Sequence, residues 1–397
     1  MKLCRQKFPL SATASVMASA VLLASCGGGG NSSTDTTGTL KFALTDAPAC
    51  GFDAVNVTIQ KIRVNQSDSA TDTSSGWSEI VLSPALRVNL LDLTNGTLAE
   101  LGQTKLPAGK YNQIRLVLGS NDAATPLANS VLPTGGTEIA LDTPSATQSG
   151  LKLNANVEVP AGSVADFVLD FDACKSVVKR GNSGKYNLTP VIAVIPRLSD
   201  SGLKIIGYVD PGMATASAGT TVSVQSAGVV VKATPPDAAG KFVLYPVPAG
   251  TYDLVVTSKD RATAVLSGVP TAVAGPTTIN TAINPIAPPN ATMRSVTGTV
   301  TPFTATTRAV QTLTGGPTVE VAWGPVNADT GAFAYALPIA PAVKGAYSAT
   351  ATAISFTADS GSAAKYTLVA KSGTTEKTVA IDVANAVPPV VIAVTTP

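Results

Sequence analysis

The feature that most constrains the fold of this chain is an apolar pattern that repeats every second residue. In Val55-Asn-Val-Thr-Ile59 the apolar side chains share one face, and residues 113–118 alternate in the same way. A period of two is the period of a β-strand, whereas an α-helix has about 3.6 residues per turn. The phase then slips to Ile62 and Val64, which predicts a β-bulge just after Ile59.

Short turn sequences separate the predicted strands. The tripeptide Pro-Ala-Gly occurs at residues 107–109, 160–162 and 248–250, each time just before an alternating segment. Proline fixes φ and glycine accepts a positive φ, so each tripeptide predicts a chain reversal that leads into a strand. Residues 98–101 are the best position for a short helical turn, and no long amphipathic helix is indicated. The sequence therefore predicts a mainly β protein.

Polar and proline-rich segments divide the chain into regions. Residues 197–202 are polar, and residues 284–290 contain three prolines that would stiffen a connector. The chain is also too long for one ordinary hydrophobic core. We expect a β-rich domain at 39–199, a β-sandwich at 203–284 and a second, divergent β-sandwich at 291–397.

A weak internal repeat links the last two of these regions. At a constant offset of 91, these residues match in pairs: Gly207 and Gly298, Val209 and Val300, Val230 and Val321, Gly240 and Gly331, Phe242 and Phe333. After a small insertion, Gly250 and Tyr252 match Gly345 and Tyr347. A spacing shared across the Gly-x-Phe element predicts two copies of one β-module.

One stretch within the second region resembles a known module. Residues 236–256 are similar to the carboxypeptidase regulatory-like, or transthyretin-like, β-sandwich, and the matching residues are Asp237, Gly240, Phe242, Gly250 and Tyr252. The resemblance implies a hairpin in which Gly240 ends the turn and Phe242, Leu244, Tyr252 and Leu254 face one core. The third region lacks the Pro-Ala-Gly turn, so it matches this pattern less closely.

The first region resembles a different family. It is similar to bacterial lipoproteins that open with the motif LTDAP and are known mainly as a domain of unknown function. The matching stretches are residues 44–48, 55–64, 106–118, 169–178 and 185–192. The resemblance implies an extracytoplasmic β-domain and supplies no activity, substrate or catalytic residue.

The N-terminal residues have the layout of a secretory signal. Lys2, Arg5 and Lys7 precede an apolar run that is short for a bilayer span. Leu23-Ala-Ser-Cys26 closes the run and resembles the bacterial lipobox. The resemblance implies a signal peptide at 1–25 and a lipid on Cys26, with an ordinary secretory signal as the alternative.

The residues after the lipobox predict a location and a spacer. Gly27 stands where an Asp would imply retention in the inner membrane, so the resemblance implies outer-membrane delivery in a Gram-negative bacterium. Residues 26–38 are rich in Gly, Ser and Thr and cannot bury apolar surface, which predicts a flexible tether.

Charge and residue usage exclude several functions. Cleavage before Cys26 removes three cations and no acids, which changes the formal charge from +2 to −1. Without a basic run or stripe, nucleic-acid binding is not expected. The chain contains no histidine, which excludes Ser/His/Asp and Cys/His nucleophile systems and zinc sites built on histidine. We therefore expect no catalytic residues, and a non-enzymatic structural or binding role. A carbohydrate-binding surface lipoprotein and, after it, a hydrolase are the alternatives.

Cysteine usage predicts a disulfide. Cys4 is lost with the signal and Cys26 is used for the lipid, which leaves Cys50 and Cys174. An even pair in an oxidising compartment predicts a disulfide between them. Two unrelated buried thiols are the alternative.

Three carboxylates form a candidate calcium site. Asp170 and Asp172 are two residues apart on a predicted strand, and a disulfide at Cys174 would bring Asp46 towards them. Ca²⁺ prefers several oxygen ligands, so Asp46, Asp170 and Asp172 could bind it. The alternative is that Asp46 binds its own turn while the other two face solvent.

Trp77 and Trp323 are the candidate ligand-binding aromatics. A sugar ring stacks on an exposed aromatic face, and Trp77 follows a long polar loop at residues 65–76. Burial in a core is the alternative for each tryptophan. The expected partners are the membrane, through the lipid, and a glycan or another envelope protein.

Overall fold

The computed structural model describes residues 36–46, 51–143, 146–181 and 183–394. The first domain comprises the strands β1 (Thr37–Asp46), β2 (Phe52–Asn65), β3 (Ser78–Asn89), β4 (Ala99–Pro107), β5 (Gly109–Leu118), β6 (Ser130–Pro133), β7 (Ile139–Asp142), β8 (Leu151–Val159), β9 (Val164–Phe171), β10 (Val177–Arg180), β11 (Lys185–Leu188) and β12 (Ile192–Pro196). A 3-10 helix spans Leu90–Leu93, and a single helical turn, α1, spans Ala173–Ser176.

The strands of the first domain form a smaller and a larger sheet. The smaller has the order β12-β9-β1-β4, and the larger has the order β10-β11-β7-β6-β2-β5-β8, with β3 also paired to β2. Their facing sides enclose a core that includes Phe42, Ile59, Ile114 and Phe171, each fully buried. Strand β1 runs parallel to β9, which places the end of β1 beside the start of α1.

The predicted bulge is confirmed and the predicted helical turn is wrong. The register of β2 against β3 and β5 shifts between Ile59 and Lys61. Residues 99–101 belong to β4, where Ala99 pairs with Leu44 and Glu100 pairs with Ala43. Burial of Leu101 against the core favours the strand over the helical turn expected at 98–101.

The first sandwich comprises β13 (Ile205–Tyr208), β14 (Thr221–Ser226), β15 (Val229–Thr234), β16 (Lys241–Leu244), β17 (Gly250–Thr257), β18 (Ala264–Thr271) and β19 (Thr277–Thr278). Its sheets have the orders β16-β13-β19 and β15-β14-β17-β18. Short 3-10 helices lie at Pro211–Met213 and Ala216–Ala218. Phe242, Leu244 and Leu254 are buried in its core and Tyr252 packs against it, as expected. The expected hairpin is wrong, because β16 pairs with β13 in one sheet while β17 pairs with β14 and β18 in the other.

The second sandwich comprises β20 (Met293–Thr301), β21 (Thr306–Thr312), β22 (Thr318–Gly324), β23 (Ala332–Pro338), β26 (Lys365–Ser372), β27 (Thr375–Asp382) and β28 (Val390–Ala393), with a 3-10 helix at Ser360–Ser362. Between β23 and β26 lie β24 (Val343–Ala346) and β25 (Thr357–Ala358), which we call the arm. The sheet orders β23-β20-β28 and β22-β21-β26-β27 repeat those of the first sandwich.

Matching contacts show that the repeat is structural. A Cβ atom on Gly207 would lie 2.4 Å from Cζ of Phe242, and one on Gly298 would lie 2.4 Å from Cζ of Phe333. Because each glycine has no side chain, the phenylalanine ring of the neighbouring strand can pack directly against its backbone. The structure gives both sandwiches the same strand pairing around this contact.

One end of the predicted repeat alignment is wrong. Tyr252 donates a hydrogen bond to the carbonyl of Pro248, four positions earlier. Its counterpart is Tyr366, which donates to the carbonyl of Pro338, 28 positions earlier. Tyr347 follows the arm strand β24, which pairs in parallel with β18 of the first sandwich. The insertion is therefore not a small loop but a segment that joins the neighbouring sheet.

The sandwiches pack against each other through apolar side chains. Val255 and Val265 of the first sandwich form a cluster with Leu313, Val319 and Ala342. From Thr36 onward the described residues form one compact unit. Within the described ranges, no helix is long and apolar enough to cross a bilayer.

Candidate functional site

The cysteines predicted to carry lipid and disulfide chemistry fall partly outside the described residues. Cys26 and Cys50 lie outside them, so lipidation and the pairing of Cys50 with Cys174 stay predictions. Cys174 lies in α1, is buried and is disulfide-bonded. Asp172 is the N-cap of α1, and its carboxylate accepts a hydrogen bond from the backbone N–H of Lys175.

The described residues do not form the predicted calcium site. Asp46 Oδ1 accepts the N–H of Ala173 at 2.9 Å, and Asp172 Oδ2 lies 3.1 Å from Nζ of Lys175. Asp170 Oδ1 lies 2.5 Å from Nζ of Lys232. The three carboxylates are thus already bound by protein groups, and a lysine supplies the positive charge that a cation was expected to provide.

The ion pair of Lys232 and Asp170 crosses the junction between the first domain and the first sandwich. Lys232 lies on β15 and is 2% exposed, and Asp170 lies on β9 and is 8% exposed. Burial raises the pKa of Asp170, and the Lys232 ammonium opposes that rise. Asp170 is therefore covered by the neighbouring module. The alternative to calcium binding, in which Asp170 faces solvent, is wrong for this residue.

Asp46 lies beside this ion pair in an unusual environment. Burial holds its pKa well above the usual value, and the hydrogen bond from Ala173 only partly opposes this effect. Among the described residues, Asp46 Oδ2 has no hydrogen-bond partner. A folded-state pKa above the unfolded value means that the folded protein binds an extra proton between the two values.

This environment predicts a pH-dependent stability. Asp46 contributes stability that is present below its unfolded pKa of about 3.9 and is lost as the pH rises through its raised folded value. Asp46→Asn, which mimics the protonated carboxyl, should therefore flatten the fall in the free energy of unfolding above about pH 4. Urea unfolding from pH 4 to pH 8 measures the difference, with Asp68→Asn at an exposed carboxyl as the control. A wild-type profile that Asp46→Asn does not alter would contradict the prediction.

A loop of the first domain fixes the same junction. Asn95 donates its backbone N–H to Oγ1 of Thr234 at 2.7 Å, and its side chain accepts the N–H of Val243. It also donates to the carbonyl of Lys241 at 3.4 Å. The loop therefore bridges β15 and β16, the edge strands of the two sheets of the first sandwich.

Trp77 is held by protein groups. Its ring lies 4.5 Å from the guanidinium carbon of Arg63 and 4.8 Å from that of Arg115. Its indole N–H donates to the carbonyl of Thr71 at 2.9 Å. Guanidinium groups over the ring occupy the surface on which a sugar would stack. The geometry thus favours a structural role for Trp77 in the hairpin loop between β2 and β3.

Trp323 borders an open cleft where the first domain and both sandwiches meet, which we call the junction cleft. One chamber, of about 230 Å³, is lined by groups that include Asp172, Cys174, Gln225 and Trp323. A second chamber, of about 330 Å³, shares Lys175, Val230, Glu320 and Trp323 with the first. Its remaining walls include Val191, Arg308, Lys371 and Glu376.

Strand pairing explains how the cleft is assembled. Trp323 on β22 pairs with Arg308 on β21, so both side chains lie on one face of the sheet. The side chain of Gln225 on β14 donates to the carbonyl of Glu320 at 2.8 Å and accepts its N–H at 2.7 Å, which ties the first sandwich to the edge strand β22 of the second. The α1 turn of the first domain supplies Asp172 and Lys175 from the other side.

Two ion pairs line the cleft. Lys175 lies 3.1 Å from Asp172, and Arg308 Nη1 lies 3.5 Å from Glu320 Oε2. Burial raises the pKa of Glu320, while Lys175 and Arg308 oppose the rise. Burial disfavours the Lys175 ammonium, but Asp172 and Glu320 outweigh it and raise the pKa of Lys175.

Fewer cations lie over the ring of Trp323 than over that of Trp77. Nζ of Lys175 is 5.9 Å from its centroid, near the outer limit of about 6 Å for a cation–π contact. No described residue accepts a hydrogen bond from its indole N–H. Sequence reasoning selected Trp323 but missed Lys175, Gln225 and Glu320, because no local spacing links residues of three separate modules.

Comparison with known families identifies one part of the chain. Residues 37–190 match the family model described as Domain of unknown function (DUF4382). This match agrees with the resemblance of the first region to a domain-of-unknown-function family, and it assigns no activity. No curated protein matches the chain.

Two solved structures show a limited likeness. Both are crystal structures of interface mutants of a type II cohesin–X-dockerin complex from Acetivibrio cellulolyticus. The C-terminal interface mutant is 28% identical, with a TM-score of 0.18, over 21% of this chain and 56% of its own. The N-terminal interface mutant is 23% identical, with a TM-score of 0.19, over 23% of this chain and 59% of its own. TM-scores this low do not establish a shared fold.

Proposed function

We propose that this protein is a lipid-anchored, non-enzymatic binding protein of the cell envelope and that the junction cleft is its ligand site. The observation that carries the proposal is the position of Trp323. It borders a cleft that contains paired charges and buried polar groups, and whose walls come from the first domain and both sandwiches. Ligand sites are commonly concave and lie between modules, with a few placed polar groups.

The absence of histidine and the pairing of charges support a non-enzymatic role. Glu320 and Asp172 each face a cation of the protein, so neither is placed as a free general base. Turnover of a substrate by the purified protein, abolished by substitution of a cleft residue, would contradict this part of the proposal.

The lipid anchor is supported by the lipobox resemblance at Leu23–Cys26 and by the Gly/Ser/Thr tether that follows. Cys26→Ser should abolish incorporation of labelled fatty acid and release the protein from the membrane fraction, because an acyl chain supplies about 0.8 kcal/mol per buried CH₂ group. Cys4→Ser, within the signal, is the matched control and should retain the label. Labelled Cys26→Ser protein would contradict the anchor.

Ligand binding is tested with the unacylated mature chain and purified envelope fractions, namely peptidoglycan, polysaccharide and membrane protein. Trp323→Ala should weaken retention on the bound fraction by at least about tenfold, since aromatic contacts contribute about 0.5–1.5 kcal/mol beyond the area that they bury. Trp77→Ala, at a ring already covered by arginines, should not weaken it. Equal retention of wild type and Trp323→Ala would contradict the cleft as the site.

Within this proposal, a glycan is one candidate class of ligand for the cleft. The sequence suggested it through two tryptophans, and the structure favours Trp323 alone as the stacking surface, because Trp77 lies under two guanidinium groups. A peptide segment of another envelope protein is the competing ligand class, and the fraction that retains the protein distinguishes the two.

A further inference from the structure

We infer that the junction cleft selects an uncharged oligosaccharide that spans both chambers, with one sugar ring stacked on Trp323. This inference rests on the proposed function and names the ligand class of the same site. It follows from the charge balance of the cleft, the chemistry of its polar groups and the arrangement of its chambers.

Charge balance disfavours a charged ligand. Lys175 is paired with Asp172, and Arg308 is paired with Glu320. Lys371 and Glu376, at the outer wall of the second chamber, are exposed. An anionic ligand that bound at either ion pair would have to take the cation from its carboxylate, and a cationic ligand that bound there would have to take the carboxylate from its cation. Either exchange leaves a partly buried protein charge without a partner, which is costly.

The polar groups favour a ligand that both donates and accepts. Carboxylates accept, ammonium and guanidinium groups donate, and the cleft presents these types side by side on Glu320, Lys175 and Arg308. The indole N–H of Trp323 adds a donor that no described residue uses. A sugar hydroxyl is one donor and an acceptor at once, so neighbouring hydroxyls can bind such a mixed set without disturbing the ion pairs.

The chambers suggest more than one sugar unit. They share Trp323, Lys175, Val230 and Glu320 as common walls, each has further walls that the other lacks, and their volumes are about 230 and 330 Å³. Each is several times the share of about 30 Å³ that one water molecule takes in the liquid. A ring over Trp323 in one chamber therefore leaves room for a linked unit in the other.

The test is titration calorimetry of the unacylated mature chain with matched oligosaccharides. Galactose oligomers are compared with galacturonate oligomers, and chitin oligomers with their cationic deacetylated forms. A wider glycan array is screened alongside these matched pairs. The expected result is binding of at least one neutral series, at least tenfold tighter for the trimer than for the monomer and at least tenfold weaker for its charged counterpart. Trp323→Ala should abolish it, Trp323→Phe should restore part of it, and Trp77→Phe should leave it unchanged.

Other outcomes overturn the inference and separate it from the proposed function. Tighter binding of a charged series, equal binding of monomer and trimer, or no glycan bound at all contradicts the inference. If a peptide or nucleoside binds instead, and Trp323→Ala abolishes that binding, the cleft remains a ligand site and only its ligand class is wrong. If a glycan binds with equal affinity to wild type and Trp323→Ala, both the inference and the proposed site are wrong.

Discussion

Lys232→Met should lower the free energy of unfolding by about 3–5 kcal/mol at neutral pH, the range measured when one partner of a buried ion pair is removed. Lys232 is 2% exposed, and its ammonium lies 2.5 Å from Oδ1 of Asp170 across the junction of the first domain and the first sandwich. Methionine keeps most of the side-chain volume, so the loss reports the unpaired carboxylate and not a cavity. Urea unfolding at pH 7 measures it.

Two controls separate the ion pair from general damage. Lys259→Met, at an exposed lysine of the same sandwich, should change stability by no more than about 0.5 kcal/mol. The double variant Lys232→Met with Asp170→Leu removes both charges and should recover most of the loss, because apolar replacements of a buried pair are often neutral. A loss below about 1 kcal/mol for Lys232→Met alone would show that the pair is not buried as described.

Gly240→Ala should destabilise the protein by about 2–5 kcal/mol. Gly240 has a φ of +80°, and a Cβ atom there would lie 2.1 Å from the carbonyl oxygen of Val209. The left-handed conformation costs an L-residue about 1–2 kcal/mol, and displacing a packed neighbour adds about 1–3 kcal/mol. Thermal and urea unfolding of the mature chain measure the change.

The internal repeat supplies a second case and a control. Gly331, the counterpart in the second sandwich, has a φ of +67° and would place a Cβ 2.2 Å from the carbonyl oxygen of Val300, so Gly331→Ala should cost a similar amount. Gly275→Ala, which meets no atom within 4 Å, should be nearly neutral. Similar losses for Gly240→Ala and Gly275→Ala would contradict the steric explanation, and a near-neutral Gly331→Ala would contradict the equivalence of the two turns.

Local features of the fold could be predicted from the sequence because they depend on neighbours along the chain. Period-two alternation predicted the strands, and the phase slip after Ile59 predicted the bulge. The spacing around the Gly-x-Phe element predicted two copies of one β-module, and both copies place the phenylalanine against a glycine of the paired strand. The helical turn expected at residues 98–101 was wrong because pairing with β1 decides the conformation there.

Contacts between modules could not be predicted in the same way. Asp170 was selected for its spacing to Asp172, yet its partner Lys232 lies 62 positions later, on the edge strand of another module. Lys175, Gln225 and Glu320 converge only after the modules pack, and no periodicity records that packing. The arm strand β24 pairs across modules, although its sequence resembles an ordinary segment of the repeat.

The most direct test of the central claim, that the junction cleft binds the ligand, is the fluorescence of Trp323. The chain has two tryptophans, so Trp77→Phe leaves Trp323 as the single emitter. Titration of this variant with the envelope fraction that retains the protein should give a saturable change in emission. Adding Glu320→Gln should move the midpoint of the titration to a higher ligand concentration, because Glu320 borders both chambers. Binding of the same fraction with no change in Trp323 emission would place the ligand elsewhere and contradict the account.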